Sequence, residues 1–379
     1  METTATDKRD EEALAVAARR PERYRRIACL SVAPWNPYLR LLYDSLAERG
    51  FALEPGVGHL SAHRLVAARH RVGFLHIHWP EGLYRFGRGP RQLSGPLSWL
   101  KLGLFAMRLR LAHALGYRLV WTIHQIYPHD SPSRRLDRRA AIVLAQSCDI
   151  LVAHDAFTAQ RAQRELGVPH VEIVPHGSYV GVYPRGRPRA VVRDELGIPH
   201  DAVVFLCFGE LRAYNDVDFL LDAFRTASLP PVVLLVAGHV KDQRVRHAMS
   251  EAAAADDRIR WIDGFVASER VAELYEASDA AVVPRCDGGT SGSLILALSL
   301  ETPVVASDAP TYREVTLDGA AGWLFRPGDT ASLREALERA AREPQALAAK
   351  GRVASEAAAR LGWAGSAERL VSLLTAAKG

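Results

Sequence analysis

The chain has 379 residues, of which 48% are hydrophobic and 24% charged, and 48 Lys and Arg against 43 Asp and Glu give a net charge of +5. This length exceeds what one hydrophobic core usually serves, so the sequence predicts two domains. The mild basic excess suits an anionic ligand such as a nucleotide phosphate, or an acidic membrane surface. No stretch interleaves basic and aromatic residues like a nucleic-acid-binding face, which excludes that class of partner.

The cysteines and the N-terminus indicate the cellular setting. Four cysteines are far apart and form no CxxC pair, which predicts neither a zinc site nor a disulfide and favours a reducing cytoplasm. Residues 1–22 are charged and alanine-rich without the apolar core of a signal peptide, and we expect a tail there. No run of about 18 apolar residues occurs, so no membrane span is expected.

The first half of the chain alternates strand-like and helical patterns. Apolar runs typical of strands are separated by helical spacings at 38–50 and 97–116. Such alternation is typical of a parallel sheet covered on both faces. It predicts one Rossmann-like domain over 23–180, with strands at 26–34, 72–80, 118–125, 149–155 and 171–177.

The alternation stops and then resumes. Residues 181–201 are rich in Pro, Gly and Arg and predict an interdomain linker. A second doubly wound domain is expected over 202–362, and residues 363–379 predict an amphipathic helix that packs back toward the first domain. The strands of the second domain are expected at 202–211, 231–239, 259–266, 279–284 and 302–307, with helices from about 216 and 292.

Two loops of the second domain carry candidate anion-binding groups. A buried strand ends at Gly209, where the backbone can approach a ligand closely, and Arg212 in the next loop can clamp a diphosphate. The second loop turns at Asp287 and opens a helix whose amides and hydroxyls can form an anion nest. The alternative there is an ordinary capped helix. The residues concerned are Thr290, Ser291, Gly292 and Ser293.

These loops resemble those of the family 4 retaining glycosyltransferases, which have the GT-B fold of two Rossmann-like domains facing across a cleft. The family's "R-P-Y-K-G" loop aligns with Arg212, but Asn215 occupies the lysine position and Asp216 the glycine position. The family's two glutamates align with Gly288 and Leu296, so the sequence resembles a branch with a Thr-Ser-Gly turn in their place.

Further positions extend the resemblance through the second domain. Gly238 ends "VAGH", which resembles the family's strand-end "V-G-x-G". Phe265 and Val266 follow Gly264 in the loop that lies near the nucleobase in the family. The resemblance therefore implies that these residues, together with Gly209, Arg212, Asn215 and the 290–293 turn, bind the donor. For Asp287 it implies a role in binding the sugar hydroxyls.

The first domain supplies acceptor-side candidates. His124 matches the family's "T-x-H" position, which lies near the anomeric carbon, and the resemblance implies that it positions the sugar. "HIHWPEG" places His78 at a strand end with Trp79 after it, and an indole stacks well on a sugar. Asn36 occupies the loop where the family has a glycine-rich turn, and His176 replaces the asparagine of the family's "P-N-G". His76 is expected to be buried structure.

The resemblance implies a retaining transferase that moves a hexose from a UDP-, GDP- or dTDP-sugar to a hydroxyl of a glycan, a lipid-linked acceptor or a specialised metabolite. In such enzymes the donor phosphate helps to take the acceptor proton. No metal or other cofactor is expected, because arginine and helix ends neutralise the diphosphate. His124, Arg212 and Asp287 are the expected catalytic residues.

Alternatives remain open from the sequence. The missing lysine and glutamates motivate a non-catalytic nucleotide- or sugar-binding protein on the same fold. A sugar epimerase would need more acid–base residues than the cleft supplies. Residues 85–118 are basic and amphipathic, which favours either a domain helix or a peripheral contact with the inner face of the membrane.

Overall fold

The computed structural model describes residues 22–31, 36–54, 60–86, 91–128, 131, 133–211, 216–228 and 230–376, except for the side chains of 91–94. The chain forms two compact units. One contains the residues up to Gly177 together with those from Trp363 onward, and the other is Ser178–Gly362. Arg212 and Asn215 lie outside the described residues, as does nearly all of the predicted tail.

The first unit is built on a six-stranded parallel sheet with the strand order β2-β1-β3-β4-β5-β6. In chain order its elements are β1 Arg26–Leu30, α1 Pro37–Ala47, β2 Ala52–Leu53, α2 Ala62–Ala68, β3 Phe74–His78, α3 Glu81–Tyr84, α4 Arg91–Ala114, β4 Arg118–Ile123, α5 Arg134–Ser147, β5 Ile150–Ala153, α6 Ala156–Leu166 and β6 Glu172–Ile173.

The second unit is built on another six-stranded parallel sheet, with the order β12-β11-β10-β7-β8-β9. Its elements are α7 Arg189–Glu195, β7 Val203–Phe208, α8 Val217–Thr226, β8 Val232–Gly238, α9 Gln243–Ala255, β9 Ile259–Asp263, α10 Ser268–Glu276, β10 Ala280–Val283, α11 Gly292–Ser299, β11 Val304–Ser307, α12 Pro310–Val315, β12 Gly322–Phe325, α13 Thr330–Arg342 and α14 Pro344–Ala359; the chain then returns to the first unit as α15 Trp363–Ala376.

Helices cover both faces of each sheet, as the apolar strand sequences require. In the first sheet Leu75 and Ile77 of β3 belong to one core, whereas Phe74 belongs to the core on the opposite face. All five residues of β3 are buried, because a parallel strand between two helical layers has no solvent-facing side. The expected α/β class with two doubly wound domains is confirmed.

The last helix, α15, belongs to the first unit. Its Leu370 and Leu374 lie in the same buried cluster as Leu39 and Leu42 of α1. The spacing of four residues in α15 and three in α1 puts each pair on one face of its helix.

Residues 181–201, which connect the two sheets along the sequence, belong to the second unit. Within 181–201, α7 is anchored by Arg193, whose buried guanidinium donates to the Ala277 carbonyl at 3.0 Å and to Asp279 at 2.8 Å. Burial of a paired guanidinium ties the segment firmly to the unit that holds its partners. Within the described ranges, no helix combines the length and the apolarity needed to cross a bilayer.

Candidate active site

The carboxyl edge of the second sheet exposes bare backbone. Gly209 follows strand β7 and has φ of 134°, and Gly238 ends the neighbouring strand β8 and has φ of 146°. A Cβ added at Gly238 would lie 1.7 Å from the carbonyl oxygen of Gly209, so no side chain fits there. Ligands of doubly wound sheets bind at this edge, and a backbone without side chains lets a diphosphate approach closely.

An exposed aromatic ring follows the next strand. After β9, the amide of Gly264 donates to the carbonyl of Gly238 at 3.3 Å, which joins the two strand ends. Phe265 then projects with 88% of its surface exposed, and Val266 is half-buried. A phenyl ring left in water beside a ligand edge can stack on a nucleobase.

The loop after β10 is held by several polar contacts. Asp287 pairs with Arg285 at 2.5 Å, and Ser307 donates to the Arg285 carbonyl at 3.0 Å. The amide of Cys286 donates to the Asp216 carboxylate at 3.1 Å, which ties the loop to the start of α8. Burial raises the pKa of Asp216. The Asp287 carboxylate thus lies beside a guanidinium.

The predicted nest at the start of α11 is also a helix cap. Ser291 is buried and its hydroxyl accepts the amide of Leu294 at 3.3 Å, while its oxygen lies 3.0 Å from that of Ser293. Thr290, Gly292 and Ser293 are half-buried and flank this cap. Both sequence alternatives are therefore compatible with the geometry, because the capped helix still directs its first amides outward.

The glutamate positions of the resemblance have structural roles here. Leu296 is 5% exposed and lies in the core face of α11. Gly288 has φ of 77° in the turn before the helix. No carboxylate stands at either position.

A lysine that the sequence analysis did not single out lies at the same edge. Lys241 follows β8, forms an ion pair with Glu210 after β7, and its amide donates to the Leu211 carbonyl at 3.4 Å. Lys241 is about half exposed. The signal was present, because a lysine three residues beyond a strand-ending glycine lies near the edge where a phosphate would bind.

In the first unit, four histidines mark the carboxyl ends of four neighbouring strands. His78 ends β3, His124 follows β4, His154 follows β5 and His176 comes shortly after β6. The strand order β3-β4-β5-β6 makes these positions a row along one edge. Among the described residues, no group of three His, Cys, Asp or Glu side chains is arranged to hold a metal ion.

Hydrogen bonds join three of these histidines. His154 Nδ1 lies 2.9 Å from the Val174 carbonyl oxygen, and its Nε2 lies 3.3 Å from His124 Nδ1. His124 Nε2 lies 3.0 Å from His78 Nδ1. Both ring nitrogens of His124 therefore have partners within the row.

The chain of contacts continues into the core. His78 Nε2 lies 3.2 Å from the Tyr43 hydroxyl, which lies 3.0 Å from His76 Nδ1. His76 Nε2 then meets the Thr122 hydroxyl at 2.8 Å. His76 and His78 are both fully buried, so His78 lies beneath His124 and away from solvent.

Burial keeps these rings neutral. Burial, reinforced by His154, lowers the pKa of His76 to about 3 and that of His176 to about 3. Burial and the neighbouring rings hold the pKa of His78 and of His124 well below the usual value, and burial lowers the pKa of His154. A neutral imidazole has one donor and one acceptor.

The donor and acceptor of each hydrogen bond in this series follow from one backbone group. The Val174 carbonyl can only accept, so His154 carries its proton on Nδ1 and accepts at Nε2. His124 must then donate from Nδ1, and His78 in turn donates to His124. The same reasoning has Tyr43 donating to His78 and His76 donating to Tyr43. The Nδ1–H tautomer is thereby assigned to His154, His124, His78 and His76.

Aromatic rings enclose the row. The indole of Trp79 stacks on His124 with centroids 4.0 Å apart and planes 10° apart. Tyr38 meets the edge of His124 at 4.9 Å, and Asn36 caps α1 by accepting the amide of Tyr38 at 3.0 Å. Trp79 has φ of 44°, a strained value for a non-glycine residue that the stacking sustains. The structure thus brings His78, Trp79 and His124 together, and Asn36 acts on them through α1.

Known proteins similar to this chain are glycosyltransferases. Residues 188–359 match the family model described as glycosyl transferases group 1, and residues 98–178 match the glycosyltransferase family 4 model. The chain is 28% identical over 290 residues to the GDP-mannose:glycolipid 4-beta-D-mannosyltransferase of Xanthomonas campestris pv. campestris, covering 76% of this chain and 75% of the relative. It is also 28% identical over 305 residues to D-inositol 3-phosphate glycosyltransferase 2 of Catenulispora acidiphila, covering 77% and 70%.

Solved structures share the fold. HepE of Anabaena, in complex with UDP, matches with a TM-score of 0.68 and 17% identity over 93% of this chain and 99% of that chain. Sucrose-phosphate synthase of Thermosynechococcus elongatus matches with a TM-score of 0.69 and 18% identity over 92% and 98%. The chain is a glycosyltransferase of the GT-B fold that uses a nucleotide-sugar.

Proposed function

We propose that the second unit binds the nucleotide-sugar donor at its glycine-lined edge and that the first unit presents the acceptor hydroxyl. The observation that carries this assignment is the pair Gly209 and Gly238, which leaves bare backbone beside the exposed ring of Phe265. The donor site also takes in Val266, Arg212 and Asn215, and the residues that open α11, which are Thr290, Ser291, Gly292 and Ser293.

The leaving diphosphate is stabilised by cations and helix amides without a metal ion. Arg212 supplies one charge, and we add Lys241 as the charge that Asn215 lacks. The first amides of α11 add a positive field directed at the same edge. Asp287 binds sugar hydroxyls in this proposal, with its orientation fixed by Arg285. Activity is therefore expected to survive treatment with EDTA.

On the acceptor side, Trp79 and His124 form the surface against which the transferred sugar rests. His124 supports one face of the Trp79 indole by parallel stacking, so the sugar packs on the opposite face of the indole, as sugars do on aromatic rings. His78 holds His124 from below, and Asn36 holds the helix that carries Tyr38.

The transferred group is a hexose, and GDP-mannose is the first donor to test, ahead of UDP- and dTDP-sugars. The support is the mannosyltransferase relative, whose name specifies GDP-mannose. A glycolipid is the acceptor class for the same reason. The solved structures with UDP are under 25% identical and support the fold alone.

Retention by front-face attack is the proposed stereochemical course, with the donor phosphate taking the acceptor proton. Inversion is the second course, because the relative's name specifies a 4-beta product. GDP-mannose carries its sugar in the α configuration, so a β product requires inversion. The one-bond C1–H1 coupling of the purified product, measured by NMR, distinguishes the two.

The first unit contacts the inner face of the membrane, where a glycolipid acceptor would be found. Support comes from α4, whose solvent side is apolar: Leu97, Leu100, Leu104 and Met107 are all exposed. Lys101 and Arg108 of the same helix lie one turn after Leu97 and Leu104, and basic side chains beside an apolar stripe are typical of interfacial helices. We place the enzyme in the cytoplasm at that surface.

A thermal-shift series tests the donor proposal. The protein is titrated with GDP, UDP, dTDP and their sugars, and a ligand at 100 times its Kd raises the free energy of unfolding by about 2.7 kcal/mol. We expect one nucleotide to stabilise the protein and Arg212→Ala to abolish the shift. A protein that none of these nucleotides stabilises at millimolar concentration contradicts the proposed donor site.

A further inference from the structure

A groove lies between α4 and α5 on the first unit. It encloses about 580 Å³. Its walls combine an apolar side with two guanidinium groups. The lining residues include Trp99, Arg110, His113, Arg139 and Ser147.

The polar end of the groove presents unpaired positive charge. Arg110 of α4 and Arg139 of α5 are both exposed, and within the part of the chain that the structure describes neither guanidinium makes a hydrogen bond or an ion pair. His113 closes this end by donating from Nε2 to the Ser147 carbonyl at 2.6 Å. Two guanidiniums on facing helices can bind one phosphate from two sides.

The net positive charge of the chain is concentrated in the stretch of sequence that contains α4 and α5. Residues 85–147 contain 11 Lys and Arg and only 2 Asp. The remaining residues, with 37 basic and 41 acidic side chains, are net acidic although the whole chain is net basic. This asymmetry directs an anionic surface to one side of the first unit.

The apolar stripe of α4 runs beside the groove. Leu97, Leu100, Leu104 and Met107 follow a 3-4-3 spacing, which places them on one side of the helix. Leu100 is 63% exposed and Met107 57%, and Trp99 at the groove wall is 47% exposed. Apolar groups of this size left in water on one helix side indicate an interaction surface.

We propose that the groove binds the phosphate of an anionic glycerophospholipid while the stripe of α4 enters the acyl region of the bilayer. Arg110 and Arg139 hold the phosphate, and Trp99 lies at the level of the headgroups, where indoles favour the interface. This inference rests on the proposed membrane contact and adds a defined lipid site to it. A zwitterionic lipid is a poorer ligand, because its own cation competes for the phosphate.

Vesicle co-sedimentation tests the proposal. The full chain is mixed with vesicles of phosphatidylcholine alone or of phosphatidylcholine with 30% phosphatidylglycerol. We expect tight binding only to the anionic vesicles. The variant R110A/R139A should bind them about 30-fold more weakly, since each basic residue near such a surface contributes about fivefold to binding.

A matched control separates the groove from general charge. The variant R40A/R64A removes two exposed arginines from α1 and α2, and we expect a loss of threefold or less. Equal losses in the two double variants overturn the lipid site and leave the membrane contact standing. If the wild-type protein binds neither kind of vesicle, the membrane contact is overturned as well. Nucleotide-induced thermal shifts of R110A/R139A should equal those of wild type, which keeps either outcome separate from the donor proposal and shows that the variant is folded.

Discussion

His154 donates its Nδ1 proton to the carbonyl oxygen of Val174 across 2.9 Å. This bond determines which nitrogen carries the proton in His154 and, through the bonds that follow, in His124, His78 and His76. Neutral imidazoles can pass on hydrogen bonds in only one direction once an end is fixed. The sheet edge therefore presents a neutral, oriented row of rings beneath Trp79. Because both nitrogens of His124 are used within the row, its contribution at the surface is its ring and its fixed orientation.

The first prediction concerns this orientation. Long-range ¹H–¹⁵N NMR should find His124 protonated on Nδ1 in the wild-type protein. His154→Ala leaves the His124 donor and the Val174 carbonyl unpartnered, which should lower the free energy of unfolding by about 1–3 kcal/mol. The His124 signal should then show a mixture of tautomers.

His154→Gln is the matched control for that variant, because its amide offers both a donor and an acceptor. It should recover part of the stability and much of the Nδ1–H signal. A wild-type His124 protonated on Nε2 contradicts the assigned direction.

The second prediction is that acid destabilises the protein through these histidines. The pKa of His76 and of His176 is about 3 in the folded state and about 6.5 when unfolded, so between these values the unfolded chain binds more protons. The contribution of these neutral rings to the free energy of unfolding is fully present above about pH 6.5. It falls as the pH is lowered toward 3, by up to ~1.4 kcal/mol per pH unit for each group.

Urea unfolding at successive pH values measures this slope. His76→Gln should make the slope shallower by about one proton. Val120→Ala, a core variant on the same sheet, should lower stability equally at every pH and leave the slope unchanged. A stability that does not vary between pH 7 and pH 4.5 would show that the rings are not buried as described.

Much of the fold could be predicted from the sequence because it depends on local patterns. The apolar run at 231–239 lies between helical patterns, which is sufficient to predict a buried strand of a parallel sheet. The structure has β8 at this place. The start of α4 was harder. The helix begins at Arg91 and continues through Pro96, whereas the helical spacing of the sequence predicts it only from residue 97. Tertiary packing overrides the local preference of a proline.

The site was less predictable because it depends on side chains that are distant in sequence. His154 lay within a recognised strand pattern, yet nothing local links it to His124, which lies 30 residues earlier. Lys241 lies close to Glu210 only because β7 and β8 are neighbours in the sheet. The family comparison pointed instead to Asn215, where a lysine is absent.

The third prediction tests the bare backbone at the donor edge. Gly238→Ala places a methyl group against the Gly209 carbonyl at a positive φ, so the strand end must move. We expect the free energy of unfolding to fall by about 2–4 kcal/mol and the nucleotide-induced thermal shift to disappear.

Gly365→Ala is the control for that substitution. Gly365 lies inside α15 with open space around it, and alanine there should stabilise the protein by up to ~1 kcal/mol. If Gly238→Ala retains wild-type stability and nucleotide binding, then the glycine pair does not define the donor edge.

The fourth prediction concerns the ion pair of Lys241 and Glu210. If Lys241 supplies the phosphate-binding charge that Asn215 lacks, Lys241→Gln should raise the Kd for the donor nucleotide about tenfold, as expected for one charge-assisted hydrogen bond. Glu210→Gln should act in the opposite direction and lower the Kd, because it frees the ammonium group from its carboxylate partner. Isothermal titration with the stabilising nucleotide measures both.

The two substitutions remove opposite charges from neighbouring positions, so a change in folding alone would weaken binding in both variants. Weaker binding in Lys241→Gln together with tighter binding in Glu210→Gln is the pattern expected of a lysine acting on the phosphate, and equal Kd values for both variants and wild type would remove Lys241 from the site.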